Sequence, residues 1–284
     1  MKYRALSLAL ALAFGVAPQA IAQAFDHSLL DSVLVNYVQA GRVDYATLKV
    51  DREPLDRYLA QVAAVTPERF DDWSRSEQIA FLINAYNAYT LETVVDHYPI
   101  EGSGFFKKLT DPKRFGFPEN SIRHIDGVFD GIEHTVAGRR MTLDDIEHGT
   151  LRAEYNEPRI HFALVCAAVS CPPLREEAYR GDRLDAQLDE QGQRFLGDPR
   201  LNRFEIERGR IELSKIFDWF GEDFAQFADD SIAYGGDEEV MGVLAFVSRY
   251  LRPRTVEFIE GGDYEVGFLS YDWTLNDQAI AAAR

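Results

Sequence analysis

The chain has 284 residues, of which 47 are acidic and 30 are basic, and its formal net charge at pH 7 is −17. Such a surface repels nucleic acid and anionic lipid headgroups, so the composition argues against nucleic acid as a partner. The length is sufficient for one large domain or two small ones with a substantial hydrophobic core.

The first 24 residues have the pattern of a secretory signal peptide. Lys2 and Arg4 are basic, and the apolar run from Ala5 to Val16 is shorter than the roughly 20 residues that a transmembrane helix needs. Small residues at positions 20, 22 and 24 provide two small-x-small cleavage patterns. We therefore expect a signal peptide over residues 1–24, a single mature domain over residues 25–284, and a periplasmic or secreted protein with no transmembrane segment after processing.

The mature part of the sequence begins with two predicted helices. Apolar residues at helical spacing predict helices over residues 25–40 and 54–65. Residues 43–48 between them are predicted as a short extended segment.

The third predicted helix is long and begins at Ser74. Glu77, three residues later, completes a capping box, and the apolar pattern continues to Pro99. This helix is apolar on most faces, which predicts that it is the central buried helix. Asn84 and Asn87 lie on one face of it, where they either hold loop backbone in place or line a polar pocket.

The remaining predicted elements are helices and hairpins. In chain order they are loops with short strands over residues 101–138, a hairpin turning at Ala137-Gly138, a short helix over 143–152, a helix over 182–196, a hairpin around Arg208-Gly209, helices over 214–227 and 237–251, and a strand within residues 264–276. Because strands and helices do not alternate regularly, the fold class is predicted as α+β, mainly helical with short hairpins.

Both cysteines of the chain lie in the segment HFALVCAAVSCPPL, residues 161–174. Cys166 is predicted to be buried in an apolar stretch. Cys171 precedes two prolines that are typical of a helix start, and a thiol beside a helix amino terminus has a lowered pKa. Three states remain open: a structural Cys166–Cys171 disulfide, a catalytic Cys171 thiol, and two inert thiols. The spacing argues against structural zinc, so no metal and no cofactor are expected.

A catalytic Cys171 needs a base, and two of the six histidines are candidates. His161 lies ten residues before Cys171, within reach if the chain turns between them. His148 follows Glu147, and adjacent residues of an α-helix diverge by about 100°, so only one of this pair is expected to face the site. Each histidine also has a structural interpretation in which it is a satisfied buried side chain.

Several stretches of the sequence resemble the bacterial family known as domain of unknown function 547. They are FLINAYNAYTL (81–91), LDDIEHGTLR (143–152), PRIHFALVCAAVSCPPL (158–174) and LSYDWTLN (269–276), together with GRVDYATLK (41–49) and LSKIFDWFGEDF (213–224). In one respect the chain departs from the family, which often has Asn-Cys-Gly where this chain has Val165-Cys166-Ala167.

The resemblance implies a fold similar to that of papain-like cysteine proteases, with a cysteine, a histidine and a carboxylate or amide at the site. Carried onto this sequence, these are Cys171 as nucleophile, His148 or His161 as base, and Glu147 as the orienting group, with Asn84, Asn87 and Cys166 lining the pocket. The first functional hypothesis is therefore a thiol-dependent hydrolase or acyltransferase acting on an unknown envelope substrate. The second is a non-enzymatic binding or assembly module with a Cys166–Cys171 disulfide.

Overall fold

The structure, a computed structural model, describes residues 23–104, 109–228 and 237–282. The predicted signal peptide, except for its last two residues, lies outside these ranges. The described part is mainly helical and contains small sheets, which confirms the α+β class. Within it, no helix combines the length and the apolar character needed to cross a lipid bilayer.

The helices of the described residues are joined by short 3₁₀ turns. In chain order they are α1 (Ser28–Tyr37), α2 (Tyr45–Val50), α3 (Glu53–Ala64), α4 (Pro67–Asp71), α5 (Arg75–His97), α6 (Asp145–Arg152, with π-helical geometry, continued by the α-helical turn Ala153–Tyr155), α7 (Leu184–Leu196), α8 (Lys215–Trp219), α9 (Glu238–Val247), α10 (Pro253–Glu260) and α11 (Gln278–Ala282).

The strands form three small sheets. They are β1 (Val38–Gln39), β2 (Arg42–Val43), β3 (His134–Val136), β4 (Arg139–Met141), β5 (Arg203–Glu205), β6 (Arg210–Leu213) and β7 (Glu265–Phe268). β1–β2 and β3–β4 are antiparallel hairpins, β5–β6 is a third, and β7 adds to β6 in parallel. The predicted turns at Ala137-Gly138 and Arg208-Gly209 are confirmed.

The long helix α5 is buried along most of its length, as predicted. Its amino terminus is capped by Ser74, whose hydroxyl accepts a hydrogen bond from the amide of Glu77 at 3.2 Å. The other half of the predicted capping box is absent, because the Glu77 carboxylate accepts hydrogen bonds from Phe25 and Gly181 instead.

Two clusters of buried apolar side chains stabilise the fold. The first surrounds α5, and the second contains a set of phenyl rings in tilted and edge-to-face contact. Those rings belong to Phe162, Phe195, Phe217, Phe224 and Phe246. Tyr271 packs against both clusters, so residues near it lie at the boundary between them.

Several elements differ from the sequence-based expectation, among them the segment over residues 43–48 and helix α10. The segment predicted as extended over residues 43–48 is mostly helix α2, which begins where the Asp44 carboxylate accepts a hydrogen bond from the amide of Thr47 at 3.0 Å. Asp is a favoured helix-capping residue, and here the cap outweighs the β-branched residues nearby. Helix α10 was not predicted, although Pro253 at its first turn is a typical start signal.

Candidate functional site

A cavity of about 510 Å³ lies where the two apolar clusters meet. Five of the residues singled out from the sequence line this cavity: Glu147, His148, His161, Cys166 and Cys171. A second cavity of about 740 Å³ is lined by neither cysteine nor histidine. The first cavity therefore combines space for a ligand with side chains that can carry chemistry.

The two cysteines are joined by a disulfide bond, with their Cα atoms 6.2 Å apart. Of the three states that the sequence left open, the structure contains the disulfide. In this state Cys171 has no free thiol, so the nucleophile expected from the sequence is not formed. The chain reverses at Ala167, which has a φ of 58° in the left-handed region that favours glycine.

The carboxy-terminal segment after β7 holds the cysteine loop in place. Ala168 forms a β-bridge with Leu275, and the amide of Val169 donates to the carbonyl of Thr274 at 2.8 Å. This antiparallel pairing brings Tyr271 over the disulfide. The predicted closing strand is thus two pieces, of which the second contacts the cysteine loop.

Three hydrogen-bond donors converge on the Cys171 sulfur. The amides of Cys166 and Ala168 lie 3.1 Å and 3.4 Å from Sγ, and the hydroxyl of Tyr271 lies 3.1 Å from it. The same hydroxyl lies 3.1 Å from the Cys166 sulfur. Hydrogen bonds to the charged form of a group favour that form, so this arrangement would stabilise a Cys171 thiolate if the disulfide opened.

The predicted helix start after Cys171 is wrong. Residues 172–180 contain no helix, and the first helical turn after them is Gly181–Arg183. Pro173 instead packs directly under the β1–β2 turn, where a Cβ added to Gly41 would lie 2.5 Å from the Pro173 Cβ. The groups that face the Cys171 sulfur are therefore loop amides and a tyrosine hydroxyl, rather than a helix amino terminus.

The pKa of the Glu147 carboxyl group is higher than that of an ordinary glutamate. Burial raises its pKa to about 7, and a hydrogen bond from the Tyr86 hydroxyl offsets only part of this shift. The nearby carboxylates of Asp144 and Asp223 raise the pKa further. A carboxyl group with this pKa can both accept and donate a proton near neutral pH.

Glu147 and His148 both line the cavity, although only one of them was expected to do so. Helix α6 has π-helical geometry, in which a turn contains more residues and neighbouring side chains diverge less than in an α-helix. The smaller angle between Glu147 and His148 accounts for the presence of both side chains at the cavity. His148 is half-exposed, and its Nδ1 accepts a hydrogen bond from Arg152 at 3.3 Å.

His161 is completely buried beside Asp223. Its Nε2 donates to the Asp223 carboxylate at 2.6 Å, and its ring stacks on Phe220 at 4.3 Å between centroids. Burial lowers the pKa of His161 despite this contact, so the imidazole is neutral at pH 7. Burial alone would raise the pKa of Asp223, but hydrogen bonds from His161 and Arg152 outweigh it and lower that pKa.

Neither His148 nor His161 forms a hydrogen bond to a sulfur in the described structure. The atom that contacts both sulfurs is the Tyr271 hydroxyl. Burial raises the pKa of Tyr271 well above its usual range, so the hydroxyl keeps its proton and can donate it in a hydrogen bond.

Asn84 and Asn87 do not line the cavity, which corrects the pocket-lining interpretation. Asn84 forms paired hydrogen bonds with the backbone of Tyr179, at 2.8 Å and 2.9 Å. Asn87 does the same with Ala163 and Val165, at 3.0 Å and 2.9 Å. Their amides satisfy backbone groups of loops packed on α5, and Asn87 fixes the segment that leads into Cys166.

One wall of the cavity is aromatic and carries a cation. Trp219 and Trp273 flank Tyr271, with ring centroids 4.8 Å and 4.7 Å from it. The Arg123 guanidinium lies over Phe117 and Trp273, 5.2 Å from each ring centroid. No hydrogen bond or ion pair joins this guanidinium to another residue within the described ranges, so its donors can contact a ligand.

The cavity shows no metal-binding arrangement. Among the residues that the structure describes, no group of three or more His, Cys, Asp or Glu side chains converges as ligands would.

Comparison with known proteins identifies one family. Residues 70–196 match the sequence model of the family described as "Protein of unknown function, DUF547". Residues 70–196 of the chain therefore belong to the DUF547 family. No curated protein and no solved structure matches the chain significantly.

Several residues of the site, among them Asp223 and Tyr271, lie outside the DUF547 match. The match contains both cysteines, Glu147 and both candidate histidines, but Asp223 and Tyr271 follow its end at residue 196. Both lie in stretches that also resemble the family, GEDF and LSYDW. That resemblance was the only signal for them, since a single Asp and a single Tyr show no pattern that indicates a site.

Proposed function

We propose that this protein is an exported, thiol-dependent hydrolase or acyltransferase whose nucleophile is the Cys171 sulfur. The Cys166–Cys171 disulfide blocks this sulfur until the bond is reduced. The observation that supports the proposal most directly is the convergence of two amides and the Tyr271 hydroxyl on that sulfur. Donors placed in this way lower the pKa of a thiol and so raise its reactivity.

The chemistry begins with an external dithiol. One thiolate of the dithiol attacks the Cys166 sulfur, which is the more exposed of the two, and Cys171 leaves as a thiolate. The second thiol of the reductant then displaces Cys166 and leaves as an intramolecular disulfide. The Cys171 thiolate attacks the acyl carbon of the substrate, the leaving group takes a proton, and water or another nucleophile resolves the thioester.

Glu147 supplies and accepts the proton in this proposal, because its pKa of about 7 allows both roles near neutral pH. His161 is fixed by Asp223 and Phe220 on the cavity wall, where its neutral ring can bind the leaving group. The set of thiol, imidazole and carboxylate resembles that of papain-like proteases, and this likeness of chemistry is part of the proposal.

Export is the second component of the proposal. The amino-terminal pattern of a basic region, a short apolar run and small residues supports it. The disulfide also supports it, since such bonds persist in oxidising compartments such as the periplasm.

The test compares wild type with Cys166→Ala and Cys171→Ala, with and without dithiothreitol. Iodoacetamide alkylation and hydrolysis of a panel of p-nitrophenyl esters are measured, and circular dichroism monitors the fold. Wild type should hydrolyse the esters and be alkylated at Cys171 only after reduction, and Cys166→Ala should do both without reductant. Cys171→Ala should hydrolyse no ester in either condition, although its free Cys166 thiol can be alkylated. The proposal is wrong if Cys171 in the Cys166→Ala variant alkylates no faster than an ordinary thiol with a pKa of about 8.5.

A binding role without catalysis is the second candidate, and the aromatic wall with Arg123 favours it. It requires that the oxidised protein bind its ligand and that reduction add no hydrolytic activity. Quenching of Trp219 and Trp273 fluorescence by aromatic carboxylates, measured on the oxidised protein, separates this candidate from the first.

A further inference from the structure

The Glu77 carboxylate is buried near the start of the described chain. It is 8% exposed, and one oxygen accepts a hydrogen bond from the backbone amide of Phe25 at 2.9 Å. The other oxygen accepts from the amide of Gly181 at 3.2 Å. The packing there is tight, since a Cβ added to Gly181 would lie 2.4 Å from a carboxylate oxygen.

No cationic side chain pairs with Glu77 among the described residues. A buried carboxylate is costly unless it is both hydrogen-bonded and paired with a positive charge. The two amides supply hydrogen bonds but no net charge. A cation at the position of the Phe25 nitrogen would complete the environment that this carboxylate requires.

The exposure of the chain changes abruptly at Phe25. Gln23 and Ala24 are exposed, whereas the Phe25 ring is 7% exposed and packs against Trp73 and Phe81. This fall in exposure between Ala24 and Phe25 coincides with the end of the small-x-small pattern at residues 22–24. A protease that recognises this pattern cuts after its last small residue.

We propose that Phe25 is the first residue of the mature protein and that its new α-ammonium group forms a buried ion pair with Glu77. Hydrolysis of the bond between Ala24 and Phe25 consumes one water, leaves a carboxylate on Ala24 and creates the ammonium where the amide now lies. Processing then adds the charge that Glu77 lacks, so the mature form is more stable than a form that keeps the leader. The inference shares with the proposed function only the export of the chain and is independent of the cysteines.

One contact opposes this assignment. The indole nitrogen of Trp73 donates to the carbonyl of Gln23 at 3.1 Å, and cleavage after Ala24 removes that acceptor. The other small-x-small pattern, at residues 20–22, would place the new terminus at Gln23 and would keep this hydrogen bond. The two cleavage sites therefore predict different masses and different stabilities.

The first experiment expresses the full chain with its leader in a Gram-negative host and measures the intact mass of the exported product. A mass that begins at Phe25 supports the inference. A mass that begins at Gln23, or an uncleaved chain, overturns it.

The second experiment measures thermal unfolding of four purified proteins, released from a cleavable fusion that leaves no extra residues. They begin at Phe25 or at Gln23, and each is made with Glu77 intact and with the Glu77→Gln substitution. With Glu77 intact, the chain that begins at Phe25 should melt at least about 2 °C higher at pH 6. The Glu77→Gln change should lower the melting temperature more in the chain that begins at Phe25.

The pH dependence provides a measurement that does not need the Glu77→Gln variants to fold. The ordinary pKa of an α-amino group is about 8, and an ion pair raises it. The advantage of the chain that begins at Phe25 should therefore be full below about pH 8 and disappear at higher pH. If the two chains melt alike at pH 6, or if their difference does not change with pH, the ion pair does not form.

Discussion

The Nε2 proton of His161 is donated to the carboxylate of Asp223 across 2.6 Å, although 62 positions of sequence separate the two residues. The same carboxylate receives the Arg152 guanidinium at 2.6 Å, and the exposed Glu222 shares that guanidinium. Asp223 thus fixes two basic side chains at the edge of the cavity.

Replacing Asp223 by Asn should lower the free energy of unfolding by about 1–3 kcal/mol at pH 7, because His161 and Arg152 lose a charged acceptor. The pKa of Asp223 is depressed in the folded protein, so its contribution is present above the unfolded value of 3.8 and lost as the pH falls below it. Urea unfolding at pH 7 and at pH 3 measures this loss. The control Glu222→Gln should cost less than about 1 kcal/mol, since its partner contact is exposed.

Replacing Tyr271 by Phe should leave the fold and the disulfide in place, because the ring still packs against Trp219 and Trp273. In a Cys166→Ala background the loss of the hydroxyl should raise the pKa of the Cys171 thiol by about one unit, or roughly 1.4 kcal/mol. The pH dependence of iodoacetamide alkylation measures it. An unchanged profile would show that the hydroxyl does not stabilise the thiolate.

The control for Tyr271→Phe is Tyr155→Phe. The Tyr155 hydroxyl donates to Gln78 away from the cavity, at 2.9 Å. Its removal should leave the alkylation profile unchanged and lower the stability by about 1 kcal/mol.

Replacing Glu147 by Gln should flatten the pH dependence of stability. Burial raises the pKa of Glu147 from 4.5 to about 7, so the folded state holds this proton more tightly than the unfolded chain does. The protonated Glu147 therefore stabilises the folded state fully below pH 4.5, and this contribution disappears as the pH rises through 7. The free energy of unfolding should change by about 1–3 kcal/mol over this range in the wild type, and the variant should lack this change. Urea unfolding from acidic to mildly alkaline pH checks it.

Glu92 offers a matched control, since burial also raises its pKa to about 7 and it lies outside the cavity. Glu92→Gln should flatten the stability profile in the same way. In the Cys166→Ala background only Glu147→Gln should remove an inflection near pH 7 from the alkylation rate. Equal alkylation profiles for the two variants would exclude Glu147 as the acid–base group.

Replacing Arg123 by Gln should weaken the binding of indole-3-acetate about tenfold, because the guanidinium over Phe117 and Trp273 can bind a carboxylate. Binding of the neutral indole-3-acetamide should change little. Quenching of tryptophan fluorescence measures both ligands. Arg249→Gln is the control, since that guanidinium lies over Phe227, 4.7 Å from the ring centroid, and outside the cavity.

Replacing Gly242 by Ala should destabilise the protein by about 1–3 kcal/mol, because the added Cβ would lie 2.3 Å from the carbonyl oxygen of Phe224. Phe224 follows Asp223 directly, so the variant should also disturb the contact with His161. Gly149→Ala is the control. Its Cβ would meet nothing closer than 4.0 Å within a helix, and it should be neutral or slightly stabilising.

The local elements of this fold could be predicted from the sequence where a single strong pattern was present. Helix α5 has a Ser74 cap and a long apolar run, and the two predicted hairpin turns have glycine, Gly138 and Gly209, at the position with positive φ. The prediction was wrong over residues 172–180, because packing of Pro173 against Gly41 decides the path of the chain there. That contact joins residues far apart in the sequence.

The candidate site could be predicted only in part, for the same reason. Glu147, His148, His161 and the cysteines lie within one stretch of sequence and share the cavity. Tyr271 reaches the sulfurs from 100 and 105 positions away, through backbone pairing that no local pattern indicates.

The distance in sequence between Tyr271 and the cysteine loop has a consequence for assembly. In a chain that emerges into an oxidising compartment from its amino terminus, the two cysteines arrive long before the segment that covers them. Oxidation can therefore precede the pairing of residues 269–276 with the cysteine loop. In a nascent or truncated chain that ends before residue 269, the disulfide would be uncovered and open to attack by external thiols.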